Sequence, residues 1–295
     1  MTQSIWLRSL DFAGPGVPQT AEFYQELWRL HPAAGGGNAG TYLRGSGPEP
    51  YLLGLHPGPR RGLMRLSFGV PDRAALEARH AAIGARGGAV TPIAPLATPG
   101  GGIGFELRDP DNRVIRLSTD LAPAAHLAHP DDPMRLSHVV LNSPQMEQVQ
   151  EFFLNMLGFR VADWSEDQMV FLNCGPDHHT IALNRADRAS VNHVAFELPD
   201  MDAYMRGIGR MKNGGYPLNW GPGRHGPGDN VFAYWIGPSG FVIEYTTALE
   251  QLPADHQPKV WQRTPEQSDR WMLAGPPSRQ VRTAMAGDPD PGWEA

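Results

Sequence analysis

Four passages of this chain repeat one order of elements, and that repetition restricts the fold more than any single motif does. Each passage reads as a short strand, a helix, and then strands separated by turns. The first runs through Ile5 to Phe12, a helical Thr20 to Leu30, then Thr41 to Arg44 and Tyr51 to Leu55. The second has Leu63 to Val70, a helix over Arg73 to Gly84, Ile103 to Leu107, the turn Asp109-Pro110-Asp111-Asn112, and Val114 to Ser118. The third has Met134 to Asn142, a helix over Gln145 to Leu157, Arg160 to Asp163, Gln168 to Asn173, and Thr180 to Leu183. The fourth has Val191 to Leu198, a helix over Met201 to Lys212, Val231 to Ile236, and Val242 to Thr246.

The passages also align residue by residue. Phe68-Gly69-Val70-Pro71-Asp72 mirrors Phe196-Glu197-Leu198-Pro199-Asp200, Pro110 through Arg116 mirrors Pro238 through Glu244, and Phe23-Tyr24-Gln25-Glu26-Leu27 mirrors Phe152-Phe153-Leu154-Asn155-Met156. The predicted fold is therefore α+β, with two domains that each contain a pair of βαβββ modules. One spans residues 1–121 and the other residues 134–250, with a tail over 251–295. A chain of 295 residues is long enough to give each half its own core. The joint, Ala122 to Pro133, is linker-like in its Ala, Pro and Asp content. Its His126 and His129 read as exposed connector residues, because no third ligand lies near them.

One side chain breaks the apolar pattern. The stretch Gly223 to Tyr245 reads as a loop, a strand over Phe232 to Ile236, the turn Gly237-Pro238-Ser239-Gly240, and a second strand in which Glu244 lies between Ile243 and Tyr245. A carboxylate in a buried strand must be paired, protonated or bound to a metal. His138 and His193 open strands of the third and fourth modules, so a sheet curving on itself can bring both to Glu244. Two neutral imidazoles and a carboxylate on one face of an octahedral metal leave three positions open, as in non-haem Fe(II) oxygenases.

The paired modules, together with Leu136-Ser137-His138, His178-His179-Thr180-Ile181-Ala182-Leu183, Asn192-His193-Val194-Ala195-Phe196 and the His225 to Glu244 stretch, resemble the vicinal oxygen chelate superfamily. Within it they resemble the two-domain type I extradiol ring-cleaving dioxygenases, over roughly residues 5 to 250. The resemblance implies the glyoxalase/bleomycin-resistance/extradiol dioxygenase fold, Fe(II) held by His138, His193 and Glu244, a catecholic substrate and O₂. Mn(II) is the fallback metal because its hard N/O preferences are similar. It also implies that His179 is the acid/base histidine, that His225 is a second pocket histidine, and that the Tyr234 hydroxyl meets a substrate oxygen. His178 competes with His179, since adjacent strand residues point to opposite faces and only one can face the pocket. Two other readings stay open: an isomerase, lyase or epimerase of the same fold, and a small-molecule binding protein of the resistance type.

The first half is an internal control. The alignment sets Ser9 opposite His138, Arg65 opposite His193, Arg116 opposite Glu244 and Glu106 opposite Tyr234. A guanidinium has no lone pair to offer, so this half reads as a metal-free scaffold, with one metal per chain.

Remaining features bound the setting. A net charge of -6 and a pI near 6.0 give no basic surplus for nucleic acid or anionic membrane. A single cysteine, Cys174, excludes an internal disulfide and fits a reducing cytoplasm; it reads as a small turn or core residue. Met146, Val149, Phe152, Phe153, Met156 and Leu157 recur at helical spacing and read as a core face. Trp220, five residues before His225, offers apolar surface without charge and points to an uncharged or aryl-bearing catechol, unless Arg224, Arg263 or Arg270 reaches in. In the tail, Trp261, Trp271 and Trp293 read as anchors of a lid over the second domain or of a strap across a neighbouring subunit, and a homo-oligomer is expected.

Overall fold

The computed structural model describes residues 5–35, 40–127 and 129–292; Trp293 lies outside them. The first module contains β1 (Trp6–Gly14), α1 (Val17–Glu26), β2 (His31–Pro32), β3 (Thr41–Arg44) and β4 (Leu53–Pro57). The second contains β5 (Gly62–Gly69), α2 (Arg73–Ala85), β6 (Ala94–Pro95), β7 (Ile103–Arg108) and β8 (Val114–Thr119). The third has β9 (Arg135–Ser143), α3 (Met146–Leu157), β10 (Arg160–Ser165), β11 (Met169–Asn173) and β12 (Ile181–Arg185). The fourth has β13 (Ser190–Glu197), α4 (Met201–Asn213), β14 (Trp220–Arg224), β15 (Val231–Ile236) and β16 (Val242–Thr247). The tail adds β17 (Val260–Trp261), α5 (Pro265–Ser268) and α6 (Arg279–Ala286).

Each half forms one sheet, ordered β2-β3-β4-β1-β5-β8-β7-β6 and β14-β15-β16-β13-β9-β12-β11-β10-β17. In both, the opening strands of the two modules pair antiparallel at the centre, and each takes the last strand of its own module as a parallel neighbour. Local chemistry repeats with the topology: Asp72 and Asp200 cap α2 and α4 by accepting the N–H groups of Ala75 and Ala203 at 2.8 and 2.7 Å. No helix among the described residues is long and apolar enough to cross a membrane.

The apolar faces of the two sheets share one core. Trp28, just beyond α1, stacks on Tyr245 of β16 at 3.7 Å and meets Phe196 and Trp235 edge-on. Phe12 stacks on Phe241 at 3.8 Å, and Phe68 meets Phe153 and Phe159. On α3, Met146, Val149, Phe153 and Leu157 are buried, while Phe152 and Met156 pack partly buried against the same core. Cys174 sits beside Thr180, and burial pushes its thiol up to about 11, so it is no nucleophile near neutral pH. His129 of the joint pairs with Asp132 at 3.1 Å.

The described tail lies on its own chain. β17 joins the second sheet beside β10, and α6 packs on β13, β15 and β16. Beyond α6, Asp290 reaches the first half, where with Asp109 and Asp111 it surrounds the fully buried guanidinium of Arg113, which also donates to the Asn142 carbonyl. One guanidinium does not balance three buried carboxylates, and burial raises the Asp109 and Asp290 carboxyls above the usual carboxylate range despite their bonds to Arg113.

Candidate metal centre

Strand register brings the three candidate ligands together. His138 lies opposite Ala195 and His193 opposite Val140 on the antiparallel pair β9/β13, and Glu244 lies beside Ala195 on β16. With a side-chain period of two, all three share one face of the sheet. His138 Nε2 and His193 Nε2 each lie 3.2 Å from Glu244 Oε2. Their ligand atoms all lie within 4.8 Å of one another, the only such His/Cys/Asp/Glu group found among the described residues. All three are buried, Glu244 completely. His193 Nε2 has no hydrogen-bond partner, a buried lone pair aimed into the centre of the group. Burial opposes ionisation of Glu244, but the His138 and His193 imidazoles outweigh it and hold the carboxyl below its usual range.

The neighbours of these residues orient them. Asn192 Oδ1 accepts from His193 Nδ1 at 2.9 Å, so that ring carries its proton on Nδ1 and turns the Nε2 lone pair inward. Ser137 Oγ lies 3.2 Å from His138 Nδ1. Asn230 Nδ2 donates to Glu244 Oε1 at 3.2 Å and to Thr246 Oγ1 at 2.9 Å. Asn192 and Asn230 carried no role in the sequence reading. The signal was adjacency to His193, and for Asn230 a polar residue entering an otherwise apolar strand.

The adjacent histidines divide as alternation requires. The His179 ring lies 4.3 Å from that of His138, whereas His178 points away and pairs through Nε2 with Asp163 at 3.2 Å. Burial, reinforced by the surrounding imidazoles, holds His179 neutral. On the other side, Tyr234 lies opposite Glu244 in the β15/β16 register, with its ring 5.1 Å from His193. Its hydroxyl donates to His225 Nε2 at 3.0 Å, because His225 Nδ1 gives its proton to the Ser268 carbonyl at 2.9 Å. Burial lowers His225 to about 4.

Trp220 belongs to a strand. It starts the edge strand β14, opposite Tyr234, and stacks on that ring at 5.0 Å while its Nε1–H donates to Gly275 of the tail. Both nearby arginines are engaged by one carboxylate: Arg224 Nη1 lies 2.9 Å from Asp229 Oδ2, and Arg270 Nη1 binds Asp229 Oδ1. The tail is held here by Asp269, whose buried carboxylate accepts from the N–H groups of Arg224, Trp271, Leu273 and Ala274.

In the first half, the register sets Ser9 opposite Ser67 and Ser67 beside Arg116, as His138, Ala195 and Glu244 are set in the second. Arg65 Nε and Arg116 Nη2 both bind Glu106 Oε1, at 2.8 and 2.7 Å. Asp11 takes His56 at 2.7 Å, the Tyr51 hydroxyl at 3.2 Å and Arg65 at 3.4 Å.

The family model of the Glyoxalase/Bleomycin resistance protein/Dioxygenase superfamily matches residues 135–245, the stretch that holds the three candidate ligands. Along its whole length the chain is similar to the Mn(II)-bound glyoxalase from Novosphingobium aromaticivorans, with a TM-score of 0.91, 32% identity, and coverage of 99% of this chain and 97% of that one. The chain belongs to this superfamily. It is also 36% identical over 124 residues to Metapyrocatechase 2 of Cupriavidus necator, across 41% of this chain and 39% of that protein. A third relative, the 2,2',3-trihydroxybiphenyl dioxygenase of Sphingomonas paucimobilis, is 31% identical over 117 residues, 37% of this chain and 40% of its own length. The chain thus spans about two fifths of the curated relatives it matches.

Proposed function

We propose that this superfamily member is a metal-dependent extradiol dioxygenase. It would break the ring C–C bond beside the two hydroxyls of a catechol and leave both atoms of O₂ in the product. The observation that carries the reading is the His138, His193, Glu244 group, with its unpartnered His193 Nε2, ringed by a neutral His179 on one side and the Tyr234–His225 pair on the other. Two imidazole nitrogens and a carboxylate suit Fe(II) or Mn(II). We propose Fe(II), which when bound would supply redox chemistry and adjacent open positions for a chelating diol and O₂.

The chain's own residues supply the rest. His179, kept neutral, takes or returns a proton at its free nitrogen. Tyr234 donates its hydroxyl hydrogen, and His225 Nε2 accepts it until a substrate oxygen competes. Trp220 walls the side beyond Tyr234, and Asp229 engages both Arg224 and Arg270, so the substrate we propose is an uncharged or aryl-bearing catechol. A carboxylated analogue would lose its water there without gaining a partner, at a cost of several kcal/mol.

The full-length similarity to a Mn(II)-bound glyoxalase favours a second reading, an isomerase that consumes no O₂. The oxygen electrode separates the two. Anaerobically Fe(II)-loaded protein given 3-phenylcatechol or 4-methylcatechol is expected to take up one O₂ per catechol and form a yellow ring-opened product. Turnover of a thiol-aldehyde adduct with no oxygen uptake would replace the dioxygenase reading with the isomerase.

A further inference from the structure

Among the described residues the buried carboxylate of Asp163 pairs with no Lys or Arg and touches no candidate ligand, yet it accepts four hydrogen bonds. Its Oδ1 accepts from His256 Nε2 at 3.1 Å and from the Lys259 N–H at 3.0 Å. Its Oδ2 accepts from Trp261 Nε1 at 2.6 Å and from His178 Nε2 at 3.2 Å. These bonds hold the carboxyl down near 2 despite burial. On the far side of the same ring, His178 Nδ1 lies 3.0 Å from His179 Nδ1.

Two nitrogens in contact require one proton between them, and the carboxylate decides who has it. A carboxylate only accepts, so His178 carries its proton on Nε2. A neutral ring protonated there offers a lone pair at Nδ1, so the proton in the contact belongs to His179. We infer that Asp163 and His178 are positioning residues that fix His179 as the Nδ1–H tautomer, so that its Nε2 lone pair is the atom presented to the site. Without such a chain a neutral imidazole samples both tautomers, and one of them offers a donor where the proposed chemistry needs a base.

The surroundings keep the chain dry and aligned. His178 is fully buried, and Phe171 lies 5.5 and 5.2 Å from the two rings. Gly228 closes over the Nδ1 pair: it has φ +81°, and a Cβ there would meet His179 Cε1 at 3.1 Å and both Nδ1 atoms at 3.2 Å. Backbone bonds from Glu250 to Gly228 and from His178 to Glu250, both 2.8 Å, fasten that cover. Residues 256, 259 and 261 supply three of the four donors to Asp163, so the tail takes part in setting a side chain at the metal centre.

This role rests on the proposed dioxygenase reading, but the tautomer does not. Full-length protein labelled with ¹⁵N-histidine, as isolated and again loaded with diamagnetic Zn(II), gives the tautomer by long-range ¹H–¹⁵N correlation, assigned by comparison with His178→Asn and His179→Asn. The expected result is His178 protonated at Nε2 and His179 at Nδ1. Finding His179 protonated at Nε2 overturns the inference whatever the reaction is. In turnover, His178→Leu is expected to lower kcat at least tenfold with KM within twofold, and His178→Asn, whose amide oxygen can still accept from His179 Nδ1–H, to recover most of it. An unchanged kcat in folded His178→Leu also overturns the positioning role. Absence of catechol turnover in the wild type would instead refute the dioxygenase reading and leave the tautomer result standing.

Discussion

The two halves of this protein put different chemistry at the same points of one scaffold. Where β9, β13 and β16 hold His138, His193 and Glu244, the matching strands β1, β5 and β8 hold Ser9, Arg65 and Arg116. The position opposite Glu244 is Tyr234, and the position opposite Arg116 is Glu106. Tyr51 occupies the place of His179, two residues before the strand partner of Leu10 as His179 is two before the partner of Val139, so Pro50 falls where His178 stands. In the first half the arginines and carboxylates neutralise one another. In the second, one carboxylate lies 3.2 Å from two imidazole nitrogens, one of which, His193 Nε2, has no hydrogen-bond partner, and a cation would complete the arrangement. Backbone geometry alone therefore does not make the centre; the donor set does.

The largest expected effects fall on one half only. His138→Ala, His193→Ala and Glu244→Ala each remove a ligand, and each is expected to lose stoichiometric iron by metal analysis and at least ~10³-fold in kcat. Full iron in any one of them would take that residue out of the site. Next, His179→Asn should keep its metal and its catechol binding while kcat drops by about 10²–10⁴-fold, since an amide cannot exchange a proton near neutral pH. Equal losses in KM would point to a packing role instead.

Much of this contrast is legible in the sequence because a repeat carries its register with it. Pro110 to Arg116 aligned with Pro238 to Glu244 sets Arg116 opposite Glu244, the Phe68 and Phe196 runs set Arg65 opposite His193, and the Phe23 and Phe152 runs set Ser9 opposite His138. Elements without periodicity are not legible. β14, Trp-Gly-Pro-Gly-Arg, looks like a loop by composition and is an edge strand, where proline is tolerated. Three of the four bonds to Asp163 come from residues more than ninety positions away, and no local pattern announces them. The tail's tryptophans signal anchoring, but not that Trp261 would reach Asp163 or that Trp271 would lie 5.4 Å from the Arg224 guanidinium.

Smaller effects sharpen the same comparison. Arg116→Ala should leave the metal content unchanged and cost about 1–2 kcal/mol in denaturant unfolding, because Glu106 keeps Arg65. A folded but metal-free variant would end the scaffold reading of the first half. Asp163→Asn tests the chain that has no counterpart there. The wild-type carboxyl is depressed to about 2 in the fold, below its ordinary value, so its stabilising contribution is complete above about pH 4 and fades as pH falls toward 2. The variant should accordingly be less stable at pH 6, on the order of 1–2 kcal/mol, with the gap closing between about pH 4 and 2 in acid unfolding curves. A gap independent of pH would mean that the ionised carboxylate is not what the tail bonds stabilise.

The difference between the halves reduces to a count of metals. Titrating the full-length protein with Mn(II) and following the free-ion signal by electron paramagnetic resonance gives that count. One ion bound per chain, lost in Glu244→Ala and kept in Arg116→Ala, is the predicted result; two per chain, or one retained without Glu244, would contradict the assignment of the centre to the second half.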